Sequence, residues 1–563
     1  MATPVDLARV APAPPAADPA AERRADLRNL AILVAGFCAV LLLLPPTHEW
    51  AVLDDWIYAN AVQHQLATGA FAMPDRSQAN LVGLVLWGTA WARVLGFSYT
   101  TLTLAVLALT LPGLLAAYGL ARRLGVAPAG ALFGTALLAL NPLFLHLSYS
   151  FMTDIPFLAL LLISAYAYVR GLQDGRAGWL VLGGLFSGWA FLVRQFGVLL
   201  PLGLAGYLLL DSVLTRRLRW REAVAVLAVP LGLFGEWWLW SRGVPLSGAA
   251  IEAGGRRAVF FLKDPWLTVS ALRTLDALAI TGVAVPVAFV FRRRRLWLLP
   301  LAAGIVIAGL LWANTITVSR IEVAIPPAPL TLGPWTLDLP PQVFTFGGYG
   351  NLLRVEGIDF FEYHQQPIWT PTVWSVLYLL ALIPAVALVA KMADALLDCL
   401  RDRVRRRPLS PAVGLYAVGL GIFVIYMAAT GDYFDRYLVS FLPFVTLFIA
   451  RSTAEWGRRA WAVSLAGLTG LAGFSLLLHA DFADHDTARW QAGDWMLARV
   501  PLVQNGYDWA GVHGYGNGVY EVSDVPLDGF RIERTFPYTS RLSGFAPRLV
   551  YALARNDTPP LAK

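Results

Sequence analysis

The stretch Leu27-Arg28-Asn29-Leu30-Ala-Ile-Leu-Val-Ala-Gly-Phe-Cys38-Ala-Val-Leu-Leu-Leu-Leu44, continuing as Pro45-Pro46-Thr47-His48-Glu49-Trp50-Ala-Val-Leu-Asp54-Asp55, decides how the rest of the chain reads. Its apolar run approaches the ~20 residues that a helix needs to cross a bilayer. Arg23, Arg24 and Arg28 precede it, and no small-x-small cleavage site follows, so it reads as an anchor rather than a removable signal. Positive charge before the span places the next loop outside. Two adjacent carboxylates, Asp54 and Asp55, then stand just past the span. Charge beside a bilayer is costly, and acids kept there usually have work to do.

Composition extends this reading to the whole chain. Of 563 residues, 57% are hydrophobic and only 14% charged, where a soluble protein carries roughly a quarter. The mean hydropathy is +0.58. Apolar runs recur near 99–121, 129–147, 154–170, 177–193, 196–213, 222–240, 274–291, 296–313, 373–391, 411–429, 437–450 and 460–479. With the first they make about 13 spans by the bilayer-thickness criterion. Alternating these spans puts Arg122-Arg123, Arg170 with Arg176, Arg216-Arg217 with Arg219, Arg292 through Arg295, Arg403 with Arg405 through Arg407, and Arg458-Arg459 all inside. The formal charge of +7 therefore belongs to the positive-inside pattern and not to nucleic-acid binding. The expected fold is an all-α polytopic membrane protein with a small C-terminal extracytoplasmic α/β domain. Its parts are a disordered cytoplasmic tail (1–27), a transmembrane domain (28–479) with outer loops 47–98, 241–273 and 314–372, and an outer domain (480–563). Cys38 lies in the first span and Cys399 in a basic loop, so no disulfide framework is expected. No internal repeat is evident.

The outer face then holds the residues able to do chemistry. Trp56, Ile57, Tyr58, Val62 and Leu66 give the first loop a short amphipathic helix suited to the membrane surface. Asp54 and Asp55 sit at its N-terminus, where one acid serves as a cap and the dipole favours the other. A single cap leaves the second Asp unexplained. Thr153-Asp154-Ile155-Pro156 is a helix start, with Asp154 either capping the span or supporting the first pair across a cavity. Arg194-Gln195, Arg256-Arg257 with Lys263, and Arg436 supply cations on the same face. Each guanidinium alone reads as an interface anchor, but together with the carboxylates they suit a phosphate leaving group through forked hydrogen bonds. Tyr58, Tyr149, Gln195, Tyr433 and Asp435 complete the expected substrate-binding set. His479, Asp481, Asp484, His485 and Asp486 lack tight ligand spacing and read as a solvated helix-to-domain linker. Gly514-Tyr-Gly516-Asn-Gly518 lacks the Lys-Ser/Thr of a phosphate loop and reads as a turn. No metal or other cofactor is called for.

Asp54-Asp55, the stretch Phe151-Met152-Thr153-Asp154-Ile155-Pro156-Phe157, and Asp435-Arg436-Tyr437-Leu438 running to Leu442-Pro443-Phe444 occur in an order that resembles the C-type glycosyltransferases. The likeness is to the protein O-mannosyltransferases and the bacterial enzymes that add aminoarabinose to lipid A, and by hydropathy it covers roughly residues 28–480. It implies a polyprenyl-phosphate sugar donor, an acceptor hydroxyl on a lipid, glycan or protein, and an inverting displacement without metal. One acid of the pair would be the general base, supported by Asp154. Arg194, Arg256, Arg257, Lys263 and Arg436 would stabilise the departing phosphate. The family places Asp-Glu or a single Asp in this loop, so the base is not assigned between Asp54 and Asp55.

Three rivals follow from the same residues. A transporter or flippase of a lipid-linked or polar substrate would carry charge near the middle of its spans, and here the charges gather at ends and loops. A surface-polysaccharide ligase or polymerase would join longer glycans. A receptor using the outer tail would leave the acid pair idle. The excess of Arg over Lys and the abundance of Ala point to a GC-rich bacterium, with the protein in the inner membrane and its active face in the periplasm.

Overall fold

The computed structural model describes residues 18–242 and 435–561, apart from 75–76, 78, 217–218 and 515, together with short stretches between 298 and 421. The protein is a multi-span helical membrane protein. Among the described residues six helices are long and apolar enough to cross a membrane, or seven if a bent pair is one span. The expected span at 274–291, with most of those at 296–313, 373–391 and 411–429, lies outside the described residues.

The first half builds ten helices in succession: α1 (Pro19–Leu43), α2 (Asp55–Thr68), α3 (Val82–Leu95), α4 (Tyr99–Arg123), α5 (Pro128–Ala139), α6 (Pro142–Ser148), α7 (Asp154–Asp174), α8 (Ala177–Val193), α9 (Leu199–Thr215) and α10 (Trp220–Ser241). α1 begins well before the expected span, inside the stretch assigned to a disordered tail. Asp18 caps it by accepting from Ala20 N–H at 3.0 Å, and Pro19 opens its first turn. Arg122 then holds Glu22 at 3.0 Å and Asp26 at 2.6 Å, fixing that turn against the end of α4.

The run 129–147 is also not one straight span. α5 and α6 meet at 64°, where Asn141 caps α6 by accepting from Leu143 N–H and Pro142 lacks the N–H to continue α5. α4 and α7 run side by side: Gly113 lies against Ala159, Gly119 against Tyr166, and Arg123 pairs with Asp174. Their starts therefore share one end of the bundle. Arg122, Arg123 and Arg170 mark the opposite end.

After the middle of the chain come two small antiparallel hairpins, β1 (Ala328–Leu332) with β2 (Trp335–Leu339) and β3 (Asp359–Phe360) with β4 (Tyr363–His364). A 3-10 turn over Asp435–Ser440 leads into α11 (Leu442–Ser452), whose Pro443 suits a first turn. α12 (Arg458–Leu497) is 40 residues long and runs without a break through the expected boundary at 480. A helix of that length spans about 60 Å, roughly twice the hydrocarbon thickness.

Beyond α12 come α13 (Gly506–His513) and a three-stranded sheet, β5 (Tyr520–Ser523), β6 (Phe530–Ser540) and β7 (Ala546–Arg555), in the order β5-β7-β6. The pairings among these three strands are antiparallel. Short connections join these strands, while Gln504 and Glu521 of β5 form a parallel bridge across α13, so the small C-terminal domain combines helix and strand as expected. Val522, Val550 and Ala552 of the sheet pack on Ala488, Ala492 and Met496 of α12, so the sheet uses the far half of that helix as its second layer.

Candidate active site

The acid pair is divided by the turn that introduces α2. After α1 the chain runs without helix or strand to Val52, and Leu53 takes φ 53°, a left-handed conformation that costs an L residue roughly 1–2 kcal/mol. Asp55 braces that turn: its Oδ1 accepts from Val52 N–H at 2.7 Å, and Phe151 N–H also donates to it. Asp55 is 1% exposed. Burial pushes its carboxyl well above the usual carboxylate range, and Asp508 and Asp54 add to the shift, while the two backbone donors oppose it.

Asp54 occupies the N-cap position but makes no capping bond. Its Oδ2 instead accepts from the Arg436 guanidinium at 2.7 Å, and its side chain keeps 24% exposure. The cap reading of Asp54 is thus replaced by an ion pair reaching 382 positions along the chain. The apolar face of α2 is also turned to protein rather than to lipid: Ile57, Tyr58, Ala61 and Val62 are buried within the protein.

A second ion pair stands at the start of α7. Arg194 donates from Nη1 to Asp154 Oδ1 at 3.0 Å and from Nε to Thr153 Oγ1 at 2.6 Å. Thr153 and Asp154 hold this arginine rather than cap their helix, and Asp154 Oδ2 is buried with no hydrogen-bond partner. Arg194 is set by a tight connection. Asn80 Nδ2 bonds the Phe191 carbonyl, and Ser187 Oγ bonds the Gly197 carbonyl. Gly197 lies so close that a Cβ would come within 2.2 Å of Phe191 N, which only glycine permits.

Both pairs act on Tyr58. Burial raises its phenol above the usual tyrosine range, with Asp54 and Asp154 raising it further and Arg436 and Arg194 drawing it down. Asp54, Asp154, Arg194 and Arg436 are thus all near enough for their charges to act on the Tyr58 phenol.

The other expected residues are placed differently. Tyr149 is buried, donates from its hydroxyl to the Leu44 carbonyl at 2.8 Å and packs on His479 at 4.4 Å between ring centres. Gln195 opens the 3-10 turn Gln195–Val198 beside Arg194 and is half-buried. The backbone of Asp435 opens the turn that carries Arg436. Arg256, Arg257, Lys263 and Tyr433 lie outside the described residues. Among the described residues no group of three or more His, Cys, Asp or Glu side chains is placed to hold a metal ion.

The expected solvated linker is a buried network. His485 contacts Asp486 at 3.1 Å and Asp524 at 2.8 Å, and Arg489 bonds Asp486, the Asn505 carbonyl and Asp508. His485 and Asp486 are 0% and 4% exposed. Asp481, His485 and Arg489, spaced by four along a helix, share one face, and that spacing was the signal available in the sequence.

Residues 83–240 match the family model of dolichyl-phosphate-mannose-protein mannosyltransferases. The resemblance to protein O-mannosyltransferases is shown for that segment. It runs from α3 to α10 and so contains Asp154 and Arg194, while Asp54 and Arg436 fall on either side of it. No curated protein sequence matches the chain. Among solved structures, the chain is similar to the S. cerevisiae protein O-mannosyltransferase Pmt1–Pmt2 complex bound to the sugar donor, at 15% identity and a TM-score of 0.33. That match covers 40% of this chain and 35% of the other, so the chain spans about a third of the yeast protein's length. It is also similar to ArnT from Cupriavidus metallidurans in the apo state, at 15% identity and a TM-score of 0.35, over 93% of this chain and 97% of that one. A third is the archaeal oligosaccharyltransferase AglB from Archaeoglobus fulgidus in complex with an inhibitory peptide and a dolichol-phosphate. There the identity is 13% and the TM-score 0.45, over 88% of this chain and 69% of that one.

Proposed function

We propose that the protein is a membrane glycosyltransferase that moves a sugar, with inversion, from a polyprenyl-phosphate donor to an acceptor hydroxyl. The observation that carries this reading is the two Asp–Arg contacts, Asp54 with Arg436 and Asp154 with Arg194, at the bundle end away from the arginine-rich face. Asp54 is the acid suited to be the base. It is partly open, whereas Asp55 is committed to the backbone and Asp154 to Arg194.

In the reaction the Asp54 carboxylate takes the acceptor proton as the acceptor oxygen bonds the anomeric carbon from one side. On the opposite side the bond from that carbon to the phosphate oxygen breaks, and its electron pair leaves with the lipid phosphate. The donor phosphate draws Arg436 away from Asp54, which frees the base and places a guanidinium where charge develops. Arg194, aimed by Thr153 and Asp154, supplies a second such group. An apolar cavity between α4, α5, α7 and α11 supports a lipid donor. It runs from Ser440 and Pro443 near the site toward Leu120, Ala121 and Ala450 near the other end. The arginine-rich end fits the cytoplasmic face of a bacterial inner membrane, with the site, loops 47–98, 241–273 and 314–372, and residues 480–563 in the periplasm.

The test uses the purified full chain in detergent with radiolabelled polyprenyl-phosphate sugars, with and without envelope acceptors. Wild type should release polyprenyl phosphate, and Asp54→Asn should lose turnover by about 100- to 10,000-fold while still binding donor. Full activity in Asp54→Asn removes the base assignment. Absence of turnover from every donor removes the transferase reading.

A further inference from the structure

The acid pair is bracketed by two tryptophans, Trp50 before it and Trp56 after it, and both are held by residues beyond the last span. Trp50 Nε1 donates to Thr487 Oγ1 at 3.2 Å, and its ring packs against Phe482 at 5.7 Å, both on the far half of α12. Trp56 packs directly on α13, where a Cβ built on Gly511 would lie 2.1 Å from its Cε2. No side chain larger than hydrogen fits there unless the indole moves.

α13 itself has little freedom. Trp509 is fully buried and stacks edge-on with Trp490 of α12 at 5.0 Å. Arg489 ties α12 to α13 through Asp508 and to the preceding turn through the Asn505 carbonyl. Asp508 is in turn close enough to act on the Asp55 carboxyl. A rigid chain of contacts therefore runs from the far half of α12 through α13 to the helix that begins with Asp54 and Asp55.

We infer that the segment beyond the last span is a positioning element of the active site, in which Gly511 and Thr487 set Trp56 and Trp50 and thereby aim Asp54. The inference rests on the transferase reading and deepens it. It makes Gly511 and Thr487 positioning residues, which touch no substrate and act through α2. A separate acceptor-binding module on a flexible tether would make no such contacts.

Gly511→Ala is the discriminating change. Alanine is a better helix former than glycine, so α13 is not weakened by propensity, while the added methyl must displace Trp56. A base moved by about 1 Å loses up to about a hundredfold in rate. The full chain is assayed in detergent for kcat, donor KM and Tm, as wild type, Gly511→Ala, Trp56→Leu and the double variant. The expected result is a kcat, per folded molecule, lower by about tenfold to a hundredfold in Gly511→Ala, with donor KM held and a lower Tm that the double variant restores to that of Trp56→Leu. The double variant, whose smaller side chain makes room for the methyl, should be no slower than Trp56→Leu alone. Gly511→Ala with wild-type kcat overturns the inference and leaves the transferase reading standing. So does a loss that persists additively in the double variant. Wild type that turns over no donor overturns the transferase reading, and the inference with it.

Discussion

Asp55 is a carboxyl that burial holds far above its ordinary range, and that has a consequence for stability. A group whose folded pKa is raised contributes stability that is fully present below its unfolded value, near ~3.9 for Asp, and is lost as pH rises through the folded value. Asp55→Asn keeps an oxygen to accept from Val52 N–H but never ionises. The Tm of Asp55→Asn minus that of wild type should therefore grow as pH rises from about 4, which a pH series of thermal unfolding in detergent measures. A difference that shrinks with rising pH would place Asp55 as a stabilised carboxylate. At the second pair, Arg194→Gln leaves Asp154 buried without its cation, and about 3–5 kcal/mol of stability should be lost. Asp154→Asn in the same chain should recover part of that loss, read by the same unfolding assay. The sequence shows that two acids are adjacent but not that they have separate tasks. The division depends on the left-handed turn at Leu53 and on an arginine from the other end of the chain, and neither leaves a local pattern.

Helices were legible where hydropathy alone decides them, as in α4, α7 and α10, and less so where their ends depend on local hydrogen bonds. The bend at Asn141 is written as Asn-Pro, a cap followed by a residue that cannot continue the previous helix, yet the flanking apolar run hides it. Helix contacts were not legible. Gly113 lies in α4 where a Cβ would be 2.7 Å from Ala159 Cβ in α7, and nothing in the spacing names that partner. Gly113→Val adds a branched side chain into that contact and should cost about 1–3 kcal/mol. The loss should be visible as a lower Tm, with turnover per folded molecule retained, because the contact lies in the bundle below the charged site. A selective fall in kcat without loss of Tm would show instead that α4 and α7 transmit movement to Asp154.

At the scale of the molecule, membrane part and C-terminal part share one helix. Polar residues begin at 480, and polarity in a sequence suggests solvent exposure and hence a boundary there. α12 instead continues as a post, and its polar residues turn inward: His485 to Asp524 beside the sheet, Arg489 to Asp508 at the start of α13. Buried charges that are paired in this way replace the apolar contacts a helix of that composition could not make. The difference is open to limited proteolysis, since Arg489 and Arg499 are the only Lys or Arg residues between 480 and 520. Arg489 is 5% exposed and bonded on three sides, whereas Arg499 is exposed just past the end of α12. Trypsin acting on the folded chain in detergent should therefore cut after Arg499 well before it cuts after Arg489. Cleavage at Arg489 as fast as at Arg499 would mean that α12 ends near the membrane surface and that the sheet hangs from a linker. In that case the far half of α12 could not hold Trp50 and Trp56 in place around the acid pair.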